Sequence, residues 1–348
     1  MKRSRLLILL ILPAAVIAAE LFLRIFYYEP LKIRVKEGSF VNDSILGYVD
    51  KPFTTGKFIT PSLSKTITIN SHGFDSRDFA ARKQQGFYRI AVIGSSNENA
   101  AFVTHKPYAD LLNDLFVQHS DRVEVINCSI GGNGRDYSRV MLAERIKKKF
   151  DVDFVMLNVN APLSHVQNMR EEYKDYIIDY EKDNPKSRQY CLDVVDEIER
   201  LWFLQFLYES SYIVRAACKK YIDSQSSLYT HDRRSELLLR TYVSRRLSAK
   251  DQPNFIFSLE QSVNVLQNLG KNLKQQGVKL YFINYFEGQS NCPEEKGAQC
   301  IALNIPDDAS LTWQYDGHLN DKGHRLIAAK LYQQLTRGGY IPQNYLHQ

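Results

Sequence analysis

Between residues 88 and 160 the chain alternates short, unbroken apolar runs with amphipathic stretches, and this rhythm constrains the fold more than any other feature. Tyr88-Arg89-Ile90-Ala91-Val92-Ile93 reads as a buried strand ended by Gly94-Ser95-Ser96. A helix follows, with Pro107 at its start and Tyr108, Leu111, Leu112, Leu115 and Phe116 along one face. Residues 123–127 form the next strand. A glycine-bearing turn, Ser129-Ile130-Gly131-Gly132-Asn133-Gly134, and a basic amphipathic helix to Lys149 come after it, and residues 153–160 form a third strand. Strand, helix, strand, helix, strand at this spacing predicts a parallel sheet with right-handed crossovers, hence an α/β fold. The pattern resumes with a helix carrying Leu259, Val263, Leu266 and Leu273, a strand over 278–284 and a last helix over 322–335.

Three segments flank or interrupt this core. Residues 29–86 mix β-like runs such as Lys65-Thr66-Ile67-Thr68-Ile69 with turn residues, and read as a β-rich segment packed on the main domain. Residues 163–252 are charged, Tyr-rich and helical in pattern, notably Trp202-Phe203-Leu204-Gln205-Phe206-Leu207-Tyr208, and read as a helical insertion into a domain spanning 87–340. Residues 1–28 open with the basic Met1-Lys2-Arg3-Ser4-Arg5, followed by an apolar run broken only at Glu20 and Arg24. The strictly apolar part is about fourteen residues and the extended one about twenty, so a signal-anchor helix is expected, with a signal cleaved after Ala18 or Ala19 as the alternative. Basic residues stay on the cytoplasmic side, which sends the remainder of the chain outward. The expected location is the inner membrane, single-pass, with the folded domain in the periplasm or outside.

The net charge of +6 comes from scattered Lys and Arg among acidic neighbours, so no nucleic-acid partner is expected. Arg233, Arg234, Arg240, Arg245 and Arg246 read as a solvated face of the insertion. Of the five cysteines, Cys292 and Cys300 bracket a polar loop suited to a small disulfide, whereas their spacing does not suit zinc. Cys191 and Cys218 could pair across a helical hairpin, and Cys128 reads as a buried free thiol.

In open α/β sheets the site forms where strands end and helices begin. Ser96 follows the first strand, where a hydroxyl is exposed and backbone N–H groups can meet an oxyanion. Near the other end, Asp316-Gly317-His318-Leu319-Asn320 puts a carboxylate two residues from an imidazole, the pairing a general base needs to activate a hydroxyl. Alone, each piece also has an ordinary reading as a Ser-rich turn or a surface turn ahead of a helix capped by Asn320 or Asp321. Glu98 reads as a helix-start acid, with support of the Ser96 turn as the alternative. The remaining histidines, His324 among them, read as surface or packing residues. No G-x-G-x-x-G, P-loop or zinc motif is present, so no cofactor or metal is implied.

Taken together and in order, these pieces resemble the SGNH (GDSL-type) hydrolases, in particular membrane-anchored bacterial members. The strand-turn ending at Ser96 is similar to that family's first block, Gly132 to its second, Asn160 to its third, and Asp316 with His318 to its fifth. The ending Asp316-Gly317-His318-Leu319-Asn320-Asp321-Lys322-Gly323-His324 carries the most specific likeness, and Asn70-Ser71-His72-Gly73-Phe74 extends it upstream. The resemblance implies a three-layer α/β/α sandwich with a central parallel sheet. It implies a triad of Ser96, His318 and Asp316, and an oxyanion hole from the N–H groups of Ser96 and Gly132 and the amide of Asn160, the last preferred over Asn158. One departure stands out: Ser95 occupies the place of the family's acidic residue. The expected activity is ester hydrolysis of an O-acyl, possibly O-acetyl, group on an envelope glycan or lipid. O-acyl transfer by the same triad, or binding by a non-catalytic domain, are the alternatives.

Overall fold

The computed structural model describes residues 2–26, 40–43, 47–59, 63–131, 136–159, 163, 168–173, 176–181, scattered positions and short runs between 185 and 217, 258–287, 299–313 and 317–347. Helix α1 (Lys2–Phe26) precedes two antiparallel hairpins, β1 (Phe40–Asp43) with β2 (Gly47–Asp50) and β3 (Thr55–Ile59) with β4 (Ser64–Thr68). The core follows as β5 (Tyr88–Ile93), α2 (Tyr108–Gln118), β6 (Val123–Asn127), α3 (Asp136–Phe150) and β7 (Phe154–Leu157). After a hairpin of β8 (Asn168–Tyr173) and β9 (Tyr176–Glu181) it resumes as α4 (Leu259–Gln275), β10 (Lys279–Phe286), β11 (Cys300–Ile305) and α5 (Asp321–Arg337).

Strands β11, β10, β7, β5 and β6 lie side by side in that order as one parallel sheet. Helices cover both of its faces. Ile93, Ile126, Val155 and Leu157 pack with Ile146 of α3 and Leu269 of α4, while Ile90, Val92, Val125 and Met156 pack with Leu112 of α2 and Leu331 of α5. A strand buried on both faces has no polar side to alternate with, which is why β5 is a continuous apolar run buried at all six positions. Its one charge, Arg89, is 1% exposed. Its guanidinium pairs with Glu124 at 2.8 Å and donates to the carbonyls of Ala81 and Phe150.

The segment before β5 is bolted to the sheet by polar contacts. Asn70 Oδ1 accepts the N–H groups of His72 and Phe74, Ser76 Oγ donates to the Asn127 carbonyl at 3.1 Å, and Arg77 donates to Asn113 at 3.0 Å. Gly73 turns this corner at φ +88°, where a Cβ would meet the Asp50 carbonyl at 2.8 Å, so the turn requires glycine. Phe74, Phe79 and His72 then gather around Phe150.

Three expectations need correction. The third strand ends at Leu157 rather than reaching 160. The insertion is not wholly helical: β8 and β9 pair antiparallel, in keeping with the β-branched and aromatic content of Tyr176-Ile177-Ile178-Asp179-Tyr180. Strand β11, read from sequence only as the far side of a loop, completes the sheet beside β10. Cys128 is a buried free thiol and Cys300 is disulfide-bonded. Cys292, Cys191, Cys218 and the insertion arginines 233, 234, 240, 245 and 246 lie outside the described residues.

Among the described residues no helix is long and apolar enough to cross a membrane. The two charges that break the N-terminal apolar run have partners elsewhere in the chain. Glu20 accepts from Ser211 Oγ and the N–H groups of Tyr212 and Ile213, and Arg24 donates to the Ser210 carbonyl at 2.8 Å.

Candidate active site

Ser96 sits in the turn that leaves the C-terminal end of β5, one strand in from the β6 edge of the sheet. His318 comes from the loop ahead of α5, and the fold brings Ser96 Oγ to 2.8 Å from His318 Nε2, a full hydrogen bond. Several contacts fix the imidazole. The Trp313 N–H donates to the His318 carbonyl at 2.8 Å, and the Leu319 N–H donates to Asn97 Oδ1 at 3.2 Å. Phe102 stacks on the ring with centroids 3.5 Å apart, and Trp313 Nε1 donates to the Phe102 carbonyl at 2.6 Å. Gly317 has φ +71°, a left-handed conformation that favours glycine and turns the loop just before the histidine. Asn320, not Asp321, caps α5, accepting the N–H groups of Lys322 and Gly323, while its amide donates to the carbonyls of Ser310 and Thr312.

His318 Nδ1 is buried. Asp316, which the resemblance sets beside it, lies outside the described residues, as do Gly132 and Asn160. Among the described residues the Ser96 backbone N–H donates no hydrogen bond, which leaves it available to an incoming oxygen.

The reading of Glu98 as a helix-start acid is overturned. Its side chain is fully buried and folds back under the turn: Oε2 accepts the Ser95 N–H, and Oε1 accepts Asn158 Nδ2 at 2.8 Å together with the Tyr285 hydroxyl. Helix α2 starts only at Tyr108, so no helix dipole is at hand. Gly94 makes the arrangement possible, since a Cβ there would overlap the Glu98 carboxylate. Asn158 is committed to this contact. The Tyr285 hydroxyl also shares a 2.8 Å hydrogen bond with that of Tyr108.

His324 is likewise more than a packing residue. It is fully buried, and its Nδ1 accepts the N–H of Tyr108, the first residue of α2, which the N-cap Pro107 leaves without a side-chain cap. Burial pushes its imidazole down to about 3, so it stays neutral with the proton on Nε2. Gly323 beside it packs against the Leu311 carbonyl, where a Cβ has no room. Lys65 Nζ donates to the Ala100 carbonyl at 2.6 Å, and burial pushes the carboxyl of nearby Asp75 up to about 7.

Glu98, Phe102 and Trp313 were not singled out from the sequence, apart from Glu98 as an alternative support for the turn. The available signals were an acidic residue two positions after Ser96, and aromatics in two loops converging on one strand end. In comparisons with known proteins, no family model, curated protein or solved structure matches the chain.

Proposed function

We propose that this protein is a Ser-dependent ester hydrolase acting on an O-acyl group, such as an O-acetyl group, of an envelope glycan or lipid, with an SGNH-like fold. The observation that carries the reading is the 2.8 Å contact between Ser96 Oγ and His318 Nε2 at the C-terminal edge of a parallel sheet. A serine hydroxyl bonded to an imidazole is the arrangement that generates a nucleophile at neutral pH. As Ser96 Oγ attacks the acyl carbonyl, His318 Nε2 takes its proton. By the SGNH resemblance, the N–H of Gly132 and the amide of Asn160 join the Ser96 N–H in stabilising the oxyanion, and Asp316 supports the imidazolium. The imidazolium then protonates the departing alcohol. Water, activated by the same nitrogen, releases the acid and restores Ser96. No cofactor enters this sequence of steps.

In this reading residues 1–28 act as a signal anchor at the inner membrane, with Lys2, Arg3 and Arg5 on the cytoplasmic side. The test is turnover of a short-chain chromogenic ester by the full chain in detergent, beside Ser96→Ala. Activity lost in the variant supports the assignment, whereas equal activity in both removes Ser96 from the chemistry.

A further inference from the structure

We propose that Glu98 is the positioning residue of the Ser96 turn, supplying from three residues downstream of Ser95 the carboxylate that the SGNH resemblance would put there; the inference rests on the esterase reading. Glu98 ties the turn to the neighbouring strands of the sheet. Its carboxylate holds the Ser95 N–H, immediately before the nucleophile, and the same carboxylate is gripped by Asn158 just past β7 and by Tyr285 in the last part of β10. Its backbone carbonyl accepts Asn127 Nδ2 at 2.6 Å from the end of β6. Strands β6, β7 and β10 therefore all hold one residue, and that residue holds the turn.

The chemistry of the contacts favours a carboxylate over any neutral side chain. Every group that meets the Glu98 oxygens is a donor, and among the described residues no Lys or Arg reaches it. A fully buried carboxylate without a counter-cation is costly unless it is surrounded by donors. Packing alone would be met by a neutral residue of the same shape. The donors here converge from separate strands on a single point under the nucleophile, and Gly94 leaves it room. Among the described residues the Ser95 Oγ, by contrast, only accepts the Asn97 N–H, at 3.4 Å.

The experiment is Glu98→Gln in the full chain, followed by ester turnover, thermal unfolding and a crystal structure. Gln keeps the shape but must set its NH2 against a donor. We expect kcat to fall about 10- to 100-fold, with KM within about twofold of wild type. The unfolding temperature should shift far less than such a loss in turnover would need if it came from unfolding. Ser95→Asp added to Glu98→Gln should recover part of kcat by restoring an acid on the turn. Unchanged kcat, or a loss that follows the unfolded fraction alone, overturns the proposal. Should Glu98→Gln not fold, Tyr285→Phe removes one donor and is expected to lower kcat by about threefold or more, with no change overturning the proposal. Should wild type turn over no ester, the esterase reading falls, and the crystal structure still decides on Glu98. Ser96 Oγ moved out of reach of His318 Nε2 supports positioning, and a pair that stays in place refutes it.

Discussion

Phe102 lies flat against His318, with ring centroids 3.5 Å apart and planes 2° from parallel, so the imidazole has one face closed by an aromatic wall. A base that must meet a hydroxyl in one orientation gains from such a wall, because the ring loses its freedom to turn away. Phe102→Ala is expected to lower kcat for a small ester by about tenfold while costing about 1 kcal/mol of stability, since Phe102 is only half-buried. Steady-state kinetics beside chemical denaturation separates the two effects.

His324 predicts a loss of stability on acidification. Its imidazole is held at about 3 by burial, below its ordinary 6.5, so the folded state binds fewer protons than the unfolded chain over that interval. Its contribution is therefore intact above pH 6.5 and drains away as pH falls toward 3, to a total on the order of 5 kcal/mol. His324→Gln can still accept the Tyr108 N–H and does not titrate. The unfolding free energy of the variant should approach or overtake that of wild type between pH 6 and 4, as read by urea titration at each pH.

Asp75 carries the opposite sign. Burial raises its carboxyl to about 7 from 3.8, so the folded state holds a proton that the unfolded chain releases, and the stability this brings is full below pH 3.8 and lost as pH rises through 7. Asp75→Asn should change little at pH 4 and raise stability by about 1–3 kcal/mol at pH 8. Lys65, whose positive charge draws the carboxyl down, works against the shift, so Lys65→Met should widen the gap between the two pH values.

Gly94→Ala would drive a methyl group into the Glu98 carboxylate. A destabilisation of about 2 kcal/mol or more is expected, together with loss of ester turnover. In a double-mutant cycle Gly94→Ala should cost much less in a Glu98→Ala background, where the obstruction is gone. Additive costs would show that the two positions do not meet.

The frame was legible because it is written locally. Strand β5, helices α2, α3, α4 and α5 and strand β6 fall within a residue or two of their expected bounds, since buried runs and helical faces repeat every few residues. Strand β11 was not, because Cys300-Ile301-Ala302-Leu303-Asn304-Ile305 lies at the sheet edge and half its positions are not buried. Ser96 and His318 were legible as a pair only through the resemblance to the SGNH hydrolases, since each piece alone also reads as an ordinary turn. The roles of Glu98, Phe102 and His324 depend on partners from distant segments: Asn158 and Tyr285, His318, and Tyr108 respectively. Nothing in the neighbouring residues encodes such meetings, and the same glutamate at a true helix start would look identical in sequence.

The Ser96 hydroxyl and its imidazole are 222 residues apart along the chain. A chain interrupted anywhere between them, by stalled synthesis or by a protease, carries a hydroxyl with no base or a base with no hydroxyl. Contacts so distant in sequence also close late, after the local strand-helix units have formed. The Ser96–His318 contact thus forms only once the loop ahead of α5 has been made, and a growing or broken chain has no such pair.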